Sequence, residues 1–274
     1  MRISQISNEV ILQYVKEILN SPKYRSIDIP EDLIESLYLQ EEPHHKRLQD
    51  LHKAVRKKLH NIVAPYLGDP DYKQASIDIT NAFNLNQEAV RTVCTDILNS
   101  HASTKERQPF LGKFYKEIFL RIGKPQSILD LACGLHPFGL PWMELDQQCQ
   151  YYAFDIVKER IDLINTFFSL SNRKPLANQQ DILLHPPQIK ADVAFFFKEA
   201  HRFEQRHRGC NRNFWQSLPV KHLLVSLPTT SMSLRHNKVD QHRRLVYEII
   251  QGLEWTVEEF QVENELIFWL QKDL

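Results

Sequence analysis

The residue types best suited to binding a ligand stand at the ends of short apolar runs. Asp130 lies within one such run, Asp155 directly follows the next, and Asp181 comes later in the chain. In an open α/β sheet the ligand lies beyond the carboxyl ends of the strands. There, Asp155 is predicted to accept hydrogen bonds from both hydroxyls of a ribose. Asp181 is predicted to accept from an adenine amino group while the Ile182 amide donates to the ring. The alternative is that these acids cap the helices that follow the strands.

The turn after Asp130 restricts the kind of ligand. Ala132 and Gly134 are small enough to let the backbone approach a ligand closely. A dinucleotide site would have the pattern G-x-G-x-x-G, in which three glycines admit a pyrophosphate, whereas this turn has a single glycine. The turn therefore favours S-adenosylmethionine, which has an ammonium and a sulfonium but no phosphate, over a nicotinamide cofactor.

The elements that would position these residues change in kind near residue 100. Apolar residues at helical spacing predict helices at 10–19, after Pro30, at about 44–63, and once or twice within 75–100. Four later apolar runs predict buried parallel strands with crossover helices between them; they lie at 127–132, 151–154, 191–197 and 222–227. Runs at 255–262 and 265–270 predict an antiparallel hairpin that closes the sheet. The predicted fold class is α/β, Rossmann-like, with a helical N-terminal region.

Composition excludes several classes of protein. The chain has 274 residues, of which 42% are hydrophobic and 25% charged, which is typical of a folded globular protein. No apolar run approaches the roughly 20 residues of a membrane helix, and the N-terminus lacks the pattern of a signal peptide. The four cysteines form no CxxC pair. We therefore expect a cytoplasmic protein without a membrane partner and without a metal.

The formal net charge of zero conceals a separation of charge along the chain. Residues 44–58 hold six Lys or Arg and one acid, and residues 198–244 hold ten Lys or Arg and three acids. Residues 245–274 hold seven acids and one Lys. The two basic stretches predict contacts with the phosphates of a nucleic acid, with Lys57 and Lys58 as candidates in the first, although a basic run is also typical of a merely solvated surface. We expect a basic face and an acidic C-terminal hairpin turned away from it.

A more specific signal precedes the first strand. Residues 101–107, His-Ala-Ser-Thr-Lys-Glu-Arg, resemble the H-[AST]-S-T-[KN]-E-R signature of the aminoglycoside-resistance methyltransferases that modify 16S ribosomal RNA. This family transfers a methyl group from S-adenosylmethionine to N7 of a guanine in the decoding A site. Further segments that resemble the family's patterns extend over nearly the whole chain; they lie at 18–24, 58–66, 129–137, 197–198, 226–229 and 264–266.

The resemblance implies roles for individual residues. Arg107 would bind the methionine carboxylate, for which a planar guanidinium is suited because it donates two parallel hydrogen bonds; the alternative is a surface salt bridge with a neighbouring acid. The full set implied to bind the cofactor is His101, Ser103, Arg107, Ala132, Gly134, Asp155, Asp181 and Ile182. Lys198 and Arg235 would face the RNA.

The resemblance also implies that the chain has two domains with different functions. Residues 1–100 would form a helical domain that docks on the ribosomal RNA of the 30S subunit. Residues 101–274 would form a seven-stranded S-adenosylmethionine-dependent methyltransferase domain. The implied function is methylation of guanine N7 in 16S rRNA, with aminoglycoside resistance as its result.

The chemistry of guanine N7 explains why no catalytic residue is predicted. N7 carries an in-plane lone pair and loses no proton when it is methylated, so alignment of the reactants is the main requirement. The target base must first leave its stack, and Phe214 and Trp215, which lie among basic residues, are candidate aromatic contacts for it.

Two departures from the family's patterns keep alternatives open. The loop at 229–240 lacks the family's glycines and has Thr230 in place of a basic residue, and the apolar stretch that usually follows Phe-Lys is replaced by Glu199-Ala200-His201-Arg202. The alternatives are a methyltransferase that acts on another ribosomal base or another RNA, and a cofactor-binding RNA-binding protein without activity.

Overall fold

The computed structural model describes residues 8–25, 27–63, 69–229 and 238–272. The helices are α1 Asn8–Leu19, α2 Glu31–Glu41, α3 Leu48–Val63, α4 Tyr72–Phe83, α5 Gln87–Ser100, α6 Ala102–Lys105, α7 Leu111–Ile122, α8 Leu140–Met143, α9 Lys158–Leu170, α10 Ala200–Arg206, α11 Cys210–Ser217 and α12 Val239–Ile250. The strands are β1 Ser127–Leu131, β2 Gln150–Asp155, β3 Ala177–Gln179, β4 Ala191–Phe197, β5 Val220–Pro228, β6 Thr256–Val262 and β7 Glu265–Gln271. Within these described ranges, no helix combines the length and the apolar character needed to cross a membrane.

The seven strands form one mixed sheet in the order β3-β2-β1-β4-β5-β7-β6. The pairs among β1 to β5 are parallel, whereas β7 pairs antiparallel with both β5 and β6. The four predicted parallel strands and the closing hairpin are thereby confirmed. β3 was not predicted, because its three residues, Ala-Asn-Gln, form no apolar run. The order of the strands reverses between β1 and β4, and in such sheets the crevice at that reversal holds the ligand.

The hydrophobic residues form separate cores. The two faces of the sheet each carry one, so that Ile128 belongs to one core and Leu129 to the other. A third core lies among α1, α2 and α3, between Ile11 and Val63. Helices α4 and α5 do not join it but pack on the sheet core. The boundary between the N-terminal core and the sheet core therefore falls before Tyr72, whereas the sequence analysis expects a change of domain at residue 100. Helical periodicity identifies the apolar face of a helix but does not indicate which core covers that face.

The acidic C-terminal hairpin is paired with cations from neighbouring helices. Glu258 accepts from Arg121 at 3.0 Å, and Glu259 accepts from Arg243 at 2.5 Å. Glu263 lies 2.5 Å from the ammonium of Lys113. Helices α7 and α12 therefore neutralise much of the charge that the sequence places in this hairpin.

Candidate cofactor site and basic surface

The turn after β1 brings the backbone to the edge where a ligand is predicted. Ala132 and Gly134 have φ values of +51° and +54°, in the left-handed region that glycine adopts most readily. The Cys133 amide donates to the Phe154 carbonyl at 2.9 Å. The Gly134 amide donates to the Asp155 carboxylate at 3.0 Å. These bonds fix the turn against the carboxyl end of β2.

Asp155 is buried and holds several donors. Its Oδ1 accepts from the Val157 amide at 3.0 Å and from Arg160 at 2.9 Å. Asp155 does not cap α9, because the N-cap of that helix is Val157, without a side-chain cap hydrogen bond, and no described backbone amide within α9 donates to Asp155. Among the described residues, Oδ2 accepts only from the Gly134 amide, and a carboxylate oxygen has room for a second donor. Asp155 can therefore take a hydroxyl donor while its existing partners stay in place.

Asp181 and Ile182 lie side by side beyond β3, and both are buried. The Asp181 carboxylate accepts from the Leu183 amide at 3.1 Å and from both terminal nitrogens of Arg206, at 2.9 and 2.5 Å. No local pattern indicates Arg206, which lies on α10 and reaches Asp181 only when the chain folds. A donor from a bound ligand would share Asp181 with this guanidinium.

These residues line a cavity of about 770 Å³, which we call the first cavity. The turn after β1 and the ends of β2 and β3 form its floor. Its two walls come from different parts of the chain, Lys58, Asn61 and Ile62 from α3 and Arg202 and Arg206 from α10. Its lining combines the carboxylates of Asp155 and Asp181 with the apolar side chains of Ile62 and Ile182, which suits a nucleoside.

A second, smaller cavity of about 380 Å³ lies on the other side of the same turn. Its lining includes His101, Ser103, Arg107 and Lys198, together with Asp130 at the end of β1. The second cavity therefore combines cations with an acid, as the carboxylate and ammonium of an amino acid require. Among the described residues, Ala132 and Glu199 are the two that line both cavities.

Arg107 is buried in the second cavity. Its Nε donates to Glu265 at 3.0 Å, its Nη2 donates to the other oxygen of that carboxylate, and the guanidinium carbon lies 4.3 and 4.8 Å from the ring centroids of Phe114 and Phe197. The alternative of a surface salt bridge is wrong, because the side chain is 3% exposed and its partner lies at the start of β7. Burial alone would lower the pKa of Arg107, but the Glu265 carboxylate outweighs that effect and raises it.

Lys198 does not lie on the outer surface, contrary to the expectation that it faces RNA. It has a φ of +63° at the end of β4, and its side chain is 7% exposed. The ammonium donates to the Ser103 carbonyl at 3.0 Å and to Glu106 at 2.8 Å, and it lies 3.7 Å from Glu265. The left-handed turn of the backbone directs this cation into the second cavity.

His101, the residue before α6, and Ser103, within α6, both line the second cavity. The His101 ring contacts the Ser103 hydroxyl at 2.9 Å, and burial lowers the pKa of His101 to about 4. Deeper in the protein, Asp130 lies 2.8 Å from the His136 ring and accepts from Tyr151 at 2.7 Å. These contacts fix the carboxylate that closes the second cavity.

Glu199 is not among the predicted site residues, although it begins the segment 199–202, which departs from the family's apolar stretch. It follows β4, its side chain is 13% exposed, and its Oε1 accepts from Arg202 at 2.9 Å. Arg202 also donates to the Ile62 carbonyl of α3 at 3.2 Å. The pair thus connects the strand ends to the N-terminal helices.

The basic candidates of α3 differ in their surroundings. Lys57 is exposed, whereas Lys58 pairs with Glu41 at 2.5 Å and lines the first cavity. Lys53 and Arg56 are exposed beside Lys57, and the ion pairs of the described residues include none of these three. Arg235 and most of the loop at 229–240 lie outside the described residues.

The aromatic candidates for the target base belong to the hydrophobic core. Phe214 and Trp215 are 3% and 0% exposed and pack edge-on against Phe196. Their apolar faces stabilise the sheet and cannot stack on a base from solution.

The described part of the chain also contains no cluster of three or more His, Cys, Asp or Glu side chains placed to hold a metal ion.

A seven-stranded sheet of this order, with adjacent cavities at the carboxyl ends of β1, β2 and β4, agrees with the fold of the S-adenosylmethionine-dependent methyltransferases, the class to which the comparisons assign the chain. The chain belongs to the ribosomal RNA methyltransferase family described as FmrO, whose model matches residues 21–269.

Individual relatives agree with this family. A 16S rRNA (guanine(1405)-N(7))-methyltransferase of Micromonospora echinospora is 30% identical over 234 residues, which cover 81% of this chain and 83% of the relative. The solved 16S rRNA methylase RmtB is 26% identical, with a TM-score of 0.79 over 96% of this chain and 98% of that one. The 16S rRNA methyltransferase RmtF, solved with S-adenosyl-L-homocysteine, has the same fold at 23% identity, with a TM-score of 0.79 over 98% of this chain and 100% of that one.

Proposed function

We propose that this protein methylates N7 of a guanine in the decoding A site of 16S rRNA within the 30S subunit, and that the modification confers aminoglycoside resistance. The observation that carries the proposal is the pair of adjacent cavities at the strand ends, one lined by Asp155, Asp181 and Ile182 and one holding both cations and an acid. Relatives that are named for guanine N7 methylation of 16S rRNA support the choice of target.

The residues present fit S-adenosylmethionine. In the first cavity, Asp155 Oδ2 would accept from the ribose, and Asp181 and Ile182 would face the adenine. In the second cavity, Arg107 would hold the carboxylate of the methionine part with Lys198 close by, and His101 and Ser103 line the same cavity. Ala132 and Gly134 let the backbone pass between the two parts.

Each of these side chains binds or orients, and none moves a proton. S-adenosylmethionine supplies, when bound, a methyl group on a positively charged sulfur. The buried partners Glu265 and Arg160 hold Arg107 and Asp155 in place before the ligand arrives. The charged groups of the second cavity, Arg107, Asp130 and Lys198, are buried, which strengthens their interactions. Since N7 of guanine is nucleophilic without deprotonation, alignment supplies most of the catalysis.

The N-terminal helices are proposed to dock on the ribosome. The exposed cations of α3 would contact phosphates, and α3 also forms one wall of the first cavity. RNA bound along α3 would therefore lie close to the strand ends where the cofactor is proposed. The part of residues 1–100 that packs on the sheet, α4 and α5, would serve the catalytic domain instead. A ribosomal target implies that the protein acts in the cytoplasm.

The experiment that tests this function uses purified protein, labelled S-adenosylmethionine and two RNA substrates, 30S subunits and protein-free 16S rRNA. We expect incorporation into 30S subunits at one nucleotide, which borohydride reduction and aniline cleavage will locate because 7-methylguanosine is sensitive to this treatment. The Asp155→Ala variant serves as the control without cofactor binding.

The other outcomes separate the alternatives. Incorporation at a different base would retain the enzyme class and refute the proposed target. Cofactor binding without incorporation into either RNA would favour a binding protein that has lost activity.

A further inference from the structure

Glu199 occupies the junction of the two cavities. It shares that position with Ala132, whose methyl side chain carries no charge. The residue lies directly after β4, in the segment where the sequence departs from the apolar stretch that the resemblance would lead one to expect. The chain therefore carries a carboxylate at the point where the two cavities meet.

The carboxylate of Glu199 is held in one orientation. Its Oε1 accepts from Arg202 at 2.9 Å, and Arg202 in turn donates to the Ile62 carbonyl at 3.2 Å. The hydrogen bonds of the described residues to this carboxylate use Oε1 alone. Because Glu199 lines both cavities, this residue lies where they meet.

The proposed function puts a positive charge in that space. With the adenosine part in the first cavity and the methionine part in the second, the sulfonium that joins them lies beside Ala132 and Glu199. A carboxylate there attracts a cationic cofactor more strongly than a neutral one of nearly the same shape.

The positive charge does not disappear during methyl transfer. The lone pair of guanine N7 forms the new bond to the methyl carbon, and the electron pair of the breaking carbon–sulfur bond returns to sulfur. No proton is released, so the sulfonium becomes a neutral thioether and the purine becomes a cation. A carboxylate beside the path of the methyl group attracts the positive charge on sulfur before the transfer and the positive charge on the purine after it.

We propose that Glu199 is a specificity-determining residue that recognises the sulfonium charge of S-adenosylmethionine and stabilises that charge as it passes to the purine. This inference rests on the proposed function for its second part, whereas its first part concerns the cofactor alone. Arg202 acts as the positioning residue that holds Glu199 at the junction.

The surroundings of Glu199 make the effect sensitive to pH. Burial raises the pKa of Glu199 to about 7, which Asp155 favours and the nearby Arg202 and Arg160 oppose. A cation bound beside the carboxylate favours its ionised form, so affinity for S-adenosylmethionine rises with pH through this range. His101 stays neutral there, because burial lowers its pKa to about 4.

The test compares the binding of two ligands by calorimetry, S-adenosylmethionine, which is cationic at sulfur, and S-adenosylhomocysteine, which is neutral there. In Glu199→Gln we expect the Kd for S-adenosylmethionine to rise about tenfold and the Kd for S-adenosylhomocysteine to stay near its wild-type value. The preference of the wild-type protein for the cationic ligand should increase between pH 6 and 8, and the variant should lose this pH dependence. Glu199→Asp, which keeps the charge, should restore part of the preference.

Controls keep the test independent of folding and of RNA. Glu159→Gln makes the same chemical change on α9, outside both cavities, and should alter neither Kd. An equal loss of affinity for both ligands, or no loss for either, would overturn the inference even if the wild-type protein methylates 30S subunits. Failure of the wild-type protein to bind either ligand would instead refute the proposed function.

Discussion

The charged side chains of the first and second cavities differ in burial and pairing from the exposed charged side chains of α3. In the cavities, cations and acids lie in buried pairs, Arg107 with Glu265 and Arg160 with Asp155. On α3, by contrast, Lys53, Arg56 and Lys57 point to solvent, and they take part in none of the described ion pairs. The same residue types thus occur in two environments that differ in burial and in pairing.

This difference indicates what each set of charges can do. A buried pair contributes little net stability, but removal of one partner leaves an uncompensated charge in the interior. Such pairs fix geometry, as a cofactor site requires. Exposed cations are individually weak contributors to stability, but they can release counterions from a nucleic acid. The comparison therefore predicts that cavity variants affect folding and cofactor binding, whereas variants of the exposed α3 cations affect RNA binding and leave both folding and cofactor binding by the free protein unchanged.

The largest effect is expected for Arg107→Ala. The change leaves Glu265 buried without its main partner, which should lower the free energy of unfolding by about 3–5 kcal/mol, measured by urea denaturation, and should abolish detectable cofactor binding. Lys113→Ala removes an exposed cation that also pairs with an acid of the hairpin, and it should change neither quantity. Equal stability of the two variants would contradict the distinction between buried and exposed pairs.

Asp155→Asn should have the next largest effect. Loss of the charged acceptor for the ribose should raise the Kd for S-adenosylmethionine by about 10- to 100-fold, since hydrogen bonds to charged groups contribute about 1.5–3 kcal/mol. Calorimetry measures the change, with Asp162→Asn on the exposed side of α9 as the matched control. If cofactor affinity is unchanged while the protein remains folded, Asp155 does not bind the ribose.

On α3, Lys57→Glu should weaken binding to 30S subunits and leave cofactor affinity unchanged. Each lost phosphate contact should reduce the slope of log affinity against log salt concentration by about one unit, which filter binding at several salt concentrations will measure. Lys116→Glu makes the same change on α7, near the acidic hairpin, and should have little effect. A parallel loss of cofactor affinity in Lys57→Glu would mean that the two sets of charges are not independent.

The smallest effect is expected for Arg121→Ala. Arg121 is partly exposed and pairs with Glu117 and Glu258, so its loss should lower the free energy of unfolding by about 0.5 kcal/mol. Binding of the cofactor and of 30S subunits should be unaffected, because Arg121 and its two partners line neither the first nor the second cavity and lie outside α3. A marked loss of subunit binding would show that RNA also contacts the acidic end of the molecule.

The sequence predicted those parts of the site that depend on local order along the chain. Asp155 and the turn at Ala132 and Gly134 could be located because a parallel strand is an apolar run and its carboxyl end is the residue that follows. The hairpin at the C-terminus could be predicted for the same reason. In each case the position in the sequence determines the position in the sheet.

The partners of these residues could not be predicted, because they come from distant segments. Nothing local connects Arg107 to Glu265 or Asp181 to Arg206; these pairs form only after β7 and α10 have packed against the strand ends. The direction of Lys198 depends on a left-handed φ at a residue that is not glycine. Long-range packing and backbone conformation, more than residue type, decided these contacts.

Helix α3 has two functional sides. Its inner side supplies Asn61 and Ile62 to the first cavity, and its outer side carries the exposed cations. A rigid helix cannot shift on one side without shifting on the other. Any movement of α3 that accompanies RNA binding therefore changes the affinity for the cofactor, and thermodynamic linkage requires the cofactor to change the affinity for RNA by the same factor.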